Sequence, residues 1–245
     1  MCEEYGKGLK DCTVTEKNTV ILACTSLLFH LQAAQEKMGT AFPVLELDRD
    51  LHMEPEKMKA RIQEVLKSLP ESVENVLAAM GFCGGSWKLE EVPCRIVIPR
   101  VDDCITLLLH RDHMQHDNLK QKGHMYFRDS DGDKYSVKAM KDKLCQEYGM
   151  EFGTSIFGSW FASYTNADII DTGVYDCYSE EYAMWAQENA DLIRCTLDYV
   201  PGSNLLLEKL VSGQWDSQFR IFTPGMKITE KNFYSGSFEE QRQLY

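Results

Sequence analysis

The stretch CGGSWKLEEVPCRIVIPRVDDC, residues 83–104, decides the fold. It contains the apolar run CRIVIPR (94–100), and a second run, NVLAAMGF (75–82), comes directly before it. Continuous apolar runs of this length are typical of buried parallel strands, so we expect two neighbouring strands here. Each run is followed by residues that could form a binding or catalytic site. NVLAAMGF is followed by Cys83, Gly84 and Gly85, and CRIVIPR is followed closely by Asp102, Asp103 and Cys104.

A third apolar run upstream, TVILAC (19–24), ends at a cysteine in the same way. In open α/β sheets, ligands bind outside the carboxyl ends of the strands. If the three runs are neighbouring strands, their terminal cysteines meet at one edge of the sheet. We therefore predict a site built from Cys24, Cys83 and Cys104.

Strand patterns alternate with helical patterns along most of the chain. The segment LHMEPEKMKARIQEVLKSLP (51–70), for example, places its apolar residues on one helical stripe and has Pro55 in the first turn. This alternation predicts an α/β fold of two Rossmann-like halves with mainly parallel sheets and a small β-hairpin insertion. The predicted boundaries are 18–110 for the first half, 111–150 for the hairpin and helix insertion, 151–230 for the second half and 231–245 for a tail.

The predicted insertion has a hairpin pattern, with HMYFR (124–128) and KYSV (134–137) on either side of a turn containing Asp-Gly. The turn, DSDGD (129–133), resembles the start of a calcium-binding loop. Lys134, however, occupies the position where that loop needs glycine, and Met140 the position where it needs glutamate. We therefore interpret the segment as a hairpin turn.

Three histidines, His110, His113 and His116, follow the third cysteine at intervals of three residues. On a continuing helix they would fall roughly on one face and suit a divalent metal. The segment around them is strongly polar, so we predict a solvated loop instead.

Composition excludes several classes of protein. The hydrophobic content of 44% and charged content of 26% are those of an ordinary globular protein. The net charge of −12 and the scattered basic residues argue against nucleic acid as a partner. No apolar run approaches the roughly 18–20 residues of a membrane span, and the polar N-terminus MCEEYGKGLKDC is unlike a signal peptide. We predict a cytoplasmic protein that has no membrane partner.

Nine cysteines in such a chain favour metal binding or catalysis over disulfides. Three thiolates suit a zinc ion or a [4Fe-4S] cluster with one open iron. At the start of a helix, Cys104 would be favoured as a thiolate. Two alternatives remain open: the cysteines are buried as small hydrophobic residues, or one of them is a metal-free nucleophile.

Other residues at predicted strand ends complete the candidate site. Arg100 would hold a substrate carboxylate in a bidentate contact, with Asp102 and Asp103 as acid–base groups or metal-orienting groups. A structural role, with arginine and aspartate paired or an aspartate capping the helix, is the alternative. Turn residues with small side chains are the predicted cofactor contacts, namely Gly84, Gly85, Thr172 and Gly173.

Several of these motifs together resemble the domain-of-unknown-function family numbered 1638. The most specific is VIPRVDDCITLLL (97–109), and the resemblance extends over roughly residues 19–228. It maps the family motifs onto Cys24, Cys83, Gly84, Arg100, Asp103 and Cys104. The chain departs from the family pattern at Asp102, where histidine is frequent, and at HRDHMQHDN (110–118), which replaces a turn that contains glycine and usually tyrosine.

The resemblance implies a role in anaerobic one-carbon or methyl-group metabolism, because such proteins are often encoded beside corrinoid-dependent methyltransferases. We therefore expect a metal-binding protein whose three cysteines hold zinc or an iron–sulfur cluster in a cleft between its two halves. It would be a metal-dependent methyltransferase or lyase with a small-molecule substrate and a corrinoid protein supplied in trans. The alternative is a non-catalytic accessory protein that binds a corrinoid protein or a small metabolite and whose cysteines are structural.

Overall fold

The computed structural model describes residues 14–128 and 133–234. The described chain divides into two compact units, one made of residues 14–118 and 205–234 and the other of residues 119–128 and 133–204. The strands are β1 Thr19–Cys24, β2 Val44–Leu47, β3 Asn75–Ala79, β4 Arg95–Pro99, β5 His124–Phe127, β6 Asn166–Asp171, β7 Thr196–Pro201 and β8 Phe219–Phe222. The helices are α1 Leu28–Met38, α2 Pro55–Ser68, α3 Cys104–Leu109, α4 Val137–Tyr148, α5 Met150–Phe161, α6 Glu180–Leu192, α7 Leu205–Ser212 and α8 Glu230–Tyr234.

The first unit contains a five-stranded sheet in the order β2-β1-β3-β4-β8. The first four strands are parallel, and β8 pairs with β4 in the antiparallel direction. The apolar runs in β1 and β3 are buried, as continuous parallel strands require. The chain passes from β1 to β2 on one side and then to β3 and β4 on the other, so the strand order reverses beside β1.

The helices around this sheet begin and end at residues that suit those positions. Helix α1 ends at Gly39, which has the left-handed conformation (φ 68°) common in helix C-caps. Helix α2 starts at Pro55 and buries one stripe of apolar residues, Met58, Ile62, Val65 and Leu66. Short 3-10 turns follow β1, β2 and β3 at the carboxyl edge of the sheet.

The second unit contains the parallel sheet β5-β6-β7, with α4, α5 and α6 in its connections. Its core includes Phe127 and Ile169 from the strands, with Phe157, Phe161 and Ala186 from the helices. Together the two sheets confirm the α/β class with mainly parallel strands.

The predicted β-hairpin differs from the structure. Strand β5 pairs in parallel with β6, with His124 opposite Asn166, and the expected second strand (134–137) instead forms a 3-10 turn and the start of α4. Ser136 explains the difference, because its side chain accepts a hydrogen bond from the Ala139 amide (3.0 Å) and caps α4. Within residues 129–133, the calcium-like aspartates Asp129 and Asp131 lie outside the described residues.

None of the helices described in residues 14–128 and 133–234 is both long and apolar enough to cross a lipid bilayer.

Two strand-end turns of the first unit are joined by their backbones. The Phe82 amide donates to the Val101 carbonyl (2.9 Å), and the Cys83 amide donates to the Asp102 carbonyl (2.7 Å). Gly81 makes this approach possible, since a Cβ atom there would lie 2.6 Å from the Asp103 nitrogen and 2.8 Å from the Val101 oxygen. The turn after β3 therefore fixes the position of the turn after β4.

We expect Gly81→Ala to lower the free energy of unfolding by about 1–3 kcal/mol, because the added methyl group meets backbone atoms that cannot rotate away. Gly158→Ala is the matched control, since a Cβ at that helical position meets no atom within 4 Å. Urea unfolding of both variants checks the prediction. Equal stability of Gly81→Ala and the wild type would show that the two turns are not packed this closely.

Candidate metal centre

Cys24 is the last residue of β1 and is fully buried. The chain leaves the strand through a 3-10 turn, Thr25–Leu27, before α1 begins. Within that turn the Ser26 hydroxyl lies 2.9 Å from the Cys24 sulfur. The thiol is thereby held at the carboxyl edge of the sheet.

His52 lies close to Cys24 and follows β2, the strand next to β1. It lies on the 3-10 turn Arg49–Met53 after β2, which begins with Asp48 accepting from the Asp50 amide (2.9 Å). The Arg49 amide donates to the Thr25 hydroxyl (3.0 Å) and so ties this turn to the end of β1. As a result, His52 Nδ1 lies 3.9 Å from the Cys24 sulfur and 3.1 Å from the Arg49 carbonyl oxygen.

Cys104 comes from the turn after β4 as the first residue of α3 and is buried. Asp103 caps this helix, since its carboxylate accepts from the Thr106 amide at 2.9 Å. The ligand atoms of Cys24, His52 and Cys104 all lie within 4.8 Å of one another. The sequence-based convergence of Cys24 and Cys104 is therefore present in the structure, with an imidazole as the third group.

This donor set fits a metal ion with a free coordination position. Tetrahedral zinc, with Zn–S bonds of about 2.3 Å and Zn–N bonds of about 2.0 Å, needs ligand atoms roughly 3.5–3.8 Å apart. The 3.9 Å between His52 Nδ1 and the Cys24 sulfur is close to that spacing. Two thiolates and one imidazole also leave the fourth position open, as catalytic zinc sites do.

Without a metal, Cys24 and His52 hold their protons strongly. Burial opposes a positive charge on His52, but hydrogen bonds with Cys104 and Cys24 outweigh it and raise its pKa to about 10. The contact with Cys104, followed by burial, raises the pKa of the Cys24 thiol to about 12. A metal ion must displace these protons to bind.

Cys83 follows β3 on a separate turn, Cys83–Gly85. It is buried and has a positive φ of 48°, while its amide is engaged by the Asp102 carbonyl. Gly84 and Gly85 also have positive φ, and a Cβ at Gly85 would lie 2.8 Å from the Lys88 side chain. Among the described residues, the group that can hold a metal includes His52 and not Cys83.

Arg100 and Asp102 both contact Tyr234, the last residue of α8. Arg100 donates to the Tyr234 carbonyl and lies 3.6 Å from Asp117, while the Tyr234 hydroxyl donates to Asp102 at 2.7 Å. Burial, together with this bond to Asp102, raises the pKa of Tyr234. In this structure Arg100 and Asp102 anchor the C-terminal helix, and Asp103 serves as a cap.

Thr172 and Gly173 lie in the second unit, directly after β6. Asp171 accepts from the Gly173 amide (3.1 Å), and Gly173 has a φ of 70° with open space around its Cβ position. The pair therefore forms a turn at the carboxyl edge of the second sheet. A cofactor contact at this turn stays a prediction.

The three histidines after α3 lie in a loop, as predicted, but the loop is not solvated throughout, because His110 is 1% exposed. Helix α3 ends at Leu109, so His110 caps its end and places Nδ1 3.0 Å from the Thr106 carbonyl oxygen. His110 is buried and His113 is exposed, while His116 lies 3.5 Å from Asp112. In the described part of the chain these histidines belong to no group arranged for a metal.

His52 was missed by the sequence-based reasoning, which searched strand ends for cysteines. The same rule applied to β2 would have found it, because His52 follows the run VLELD (44–48) by only four residues. Its position depends on a 3-10 turn that has no apolar pattern, so helix and strand periodicity could not reveal it.

The comparison with family models decides the family of this chain. A model described as "Protein of unknown function (DUF1638)" matches residues 46–211, which is more than half of the sequence. The chain belongs to the DUF1638 family. The DUF1638 match includes His52, Cys83 and Cys104 and begins after Cys24. The search of curated proteins and the search of solved structures each returned no match.

The raised pKa values predict how the metal-free protein responds to pH. His52 binds its proton more tightly in the folded protein than in the unfolded chain, where its pKa is near 6.5. This stabilisation is complete below pH 6.5 and is lost as the pH rises toward 10. We therefore expect the free energy of unfolding to fall between pH 6.5 and 9 in chelator-treated protein.

Urea unfolding at stepped pH measures this fall, and His52→Gln is the control because glutamine keeps polarity without titrating. The variant should have a flatter stability profile than the wild type between pH 6.5 and 9. Equal slopes in the two proteins would contradict the proposed contacts of His52 with the thiols.

Proposed function

We propose that this DUF1638 protein is a zinc-dependent enzyme of methyl-group metabolism. Cys24, His52 and Cys104 would hold the metal, which would activate the thiol of a small substrate. A corrinoid protein bound in trans supplies or accepts the methyl group, as the family resemblance implies. The observation that carries the metal site is the convergence of the three ligand atoms within 4.8 Å.

The position of this group in the sheet supports a functional site. Ligands in open α/β sheets bind where the strand order reverses, outside the carboxyl ends of the strands. Here the order reverses beside β1, whose last residue is Cys24. His52 and Cys104 follow the carboxyl ends of β2 and β4 in the same sheet.

The donor set favours zinc over an iron–sulfur cluster. Cubane clusters are held by cysteine thiolates, whereas zinc accepts mixed thiolate and imidazole ligands. With His52 as the third donor, two sulfurs and one nitrogen face the site. A cluster would need Cys83 in place of His52, and Cys83 lies outside the compact group.

Zinc bound here would supply a Lewis acid that favours the thiolate form of a coordinated substrate thiol. The protein residues have separate tasks. The Ser26 hydroxyl lies 2.9 Å from the Cys24 sulfur, where it would donate a hydrogen bond to the thiolate and reduce the negative charge on the sulfur. The Thr25 hydroxyl accepts from the Arg49 amide (3.0 Å) and so holds the turn that carries His52 beside Cys24.

Of the three proposed ligands, His52 lies nearest to solvent. Cys24 and Cys104 are buried, His52 is half-buried, and the next residue, Met53, is 81% exposed. A small thiol would therefore approach the site from the side of His52. The buried sulfurs would at the same time be shielded from bulk water.

One observation favours a second candidate, a non-catalytic accessory protein with packed cysteines. The Cys24 thiol is fully buried and already has a hydrogen-bonding neighbour in Ser26, so it can be satisfied without a metal. The pKa of the Cys24 thiol, which is raised to about 12, argues against Cys24 as a metal-free nucleophile. Only the thiolate attacks, and little thiolate would be present.

Metal analysis of anaerobically purified protein distinguishes these functions. We expect about one zinc per chain, because the three donors form a single site. The substitutions Cys24→Ser, His52→Ala and Cys104→Ser should each lower the zinc affinity at least about tenfold. Cys94→Ser is the matched control, since Cys94 is a buried cysteine of the same unit that lies outside the group.

A folded, metal-free wild type would contradict the zinc site and favour the accessory protein. An absorption band near 400 nm that is lost in Cys83→Ser would instead support a three-cysteine iron–sulfur cluster. Zinc that persists at full stoichiometry in His52→Ala would remove the imidazole from the donor set.

A further inference from the structure

Helix α5 in the second unit exposes an apolar face. Phe152 and Trp160 are 62% and 51% exposed, and Ile156 between them is partly exposed. These residues recur every four positions, so they lie along one side of the helix. The adjoining side, about 100° further around the helix, is buried through Gly153, Phe157 and Phe161. Ile156 is packed partly against the same core.

The same side of α5 has small residues between the aromatic ones. Ser155 and Ser159 are exposed, and the Ser159 hydroxyl bonds only within its own helix, to the Ile156 carbonyl (2.7 Å). Small side chains between large ones let a second helix approach closely. The surface defined by Phe152, Ser155, Ile156, Ser159 and Trp160 is called the α5 face below.

Charge distinguishes the α5 face from the rest of the molecule. The chain has a net charge of −12, yet residues 152–167 contain no charged side chain. The α4–α5 segment (137–161) has three lysines balanced by three acidic residues. Two copies of an acidic protein repel each other, so a neutral surface is where they can meet at least electrostatic cost.

The spacing of large and small residues suits a two-fold axis. In a symmetric dimer the same surface patch must complement itself. If two α5 helices cross in antiparallel fashion with the axis between Ser155 and Ile156, Phe152 of one copy lies against Ser159 of the other. The small Ser159 side chain then leaves room for the Phe152 ring, so the two helices can approach closely.

From these observations we infer that the α5 face binds a second copy of this chain in an antiparallel helix pair. The contact is small: α5 has 12 residues and is therefore about 18 Å long. A standard stable interface buries about 800 Å² per partner, more than one such helix face provides. The dimer is therefore weak and reversible, with a dissociation constant on the order of micromolar to tens of micromolar.

Sedimentation velocity of the full chain over about a hundredfold range of concentration tests this inference. The wild type should pass from monomer to dimer as the concentration rises. Ser159→Glu should weaken dimerisation at least about tenfold, because the added carboxylate would lie against the Phe152 ring of the other copy and lose its hydration there. Ser159 is exposed and glutamate is a good helix former, so the variant should remain folded.

Gln187→Glu is the matched control, as it adds the same charge at an exposed position of α6 in the same unit. It should dimerise as the wild type does. A wild type that stays monomeric throughout would overturn the inference, and so would equal dimerisation of the Ser159→Glu variant. Binding of a monomeric wild type to uncharged phosphatidylcholine vesicles would also overturn it, because the face would then dock on lipid.

Discussion

The candidate metal centre depends on the close approach of two strand-end turns. The backbone of Gly81 lies against Val101 and Asp103, and amides of the turn after β3 donate to carbonyls of the turn after β4. This contact fixes where Asp103 caps α3, and hence where Cys104 begins that helix. On the other side of β3, Cys24 ends β1, so the two thiols come together across the end of one intervening strand.

A second set of buried contacts holds the chain just beyond this centre. Lys209 is buried and donates to Asp216 and Gln218, and Gln218 in turn donates to the carbonyls of Asp112 and Met114. Such fully paired polar groups give a loop one defined conformation. The loop they hold continues to Asp117, whose carbonyl accepts from the Asp102 amide and whose carboxylate lies near Arg100. The polar loop with three histidines therefore supports the edge of the site.

Much of the first sheet was predictable from sequence because buried parallel strands leave uninterrupted apolar runs, as in β1, β3 and β4. The helix cap at Asp103 and the convergence of Cys24 with Cys104 follow from the same pattern. Two features were not predictable in this way. Residues 134–137 were expected to form a strand, but the Ser136 side chain accepts a hydrogen bond from the Ala139 amide and caps a helix there. His52 lies near the thiols because it is on a 3-10 turn whose Arg49 amide donates to the Thr25 hydroxyl. Both depend on individual polar contacts, which periodicity does not record.

Zinc K-edge X-ray absorption of the loaded protein tests the central claim most directly, because it reports the donor atoms themselves. The account predicts two sulfur ligands at about 2.3 Å, one imidazole nitrogen at about 2.0 Å and one further light atom. The imidazole contribution should disappear in His52→Ala while the sulfur shell remains. A shell of oxygen and nitrogen alone, or of four sulfurs, would contradict a centre built from Cys24, His52 and Cys104.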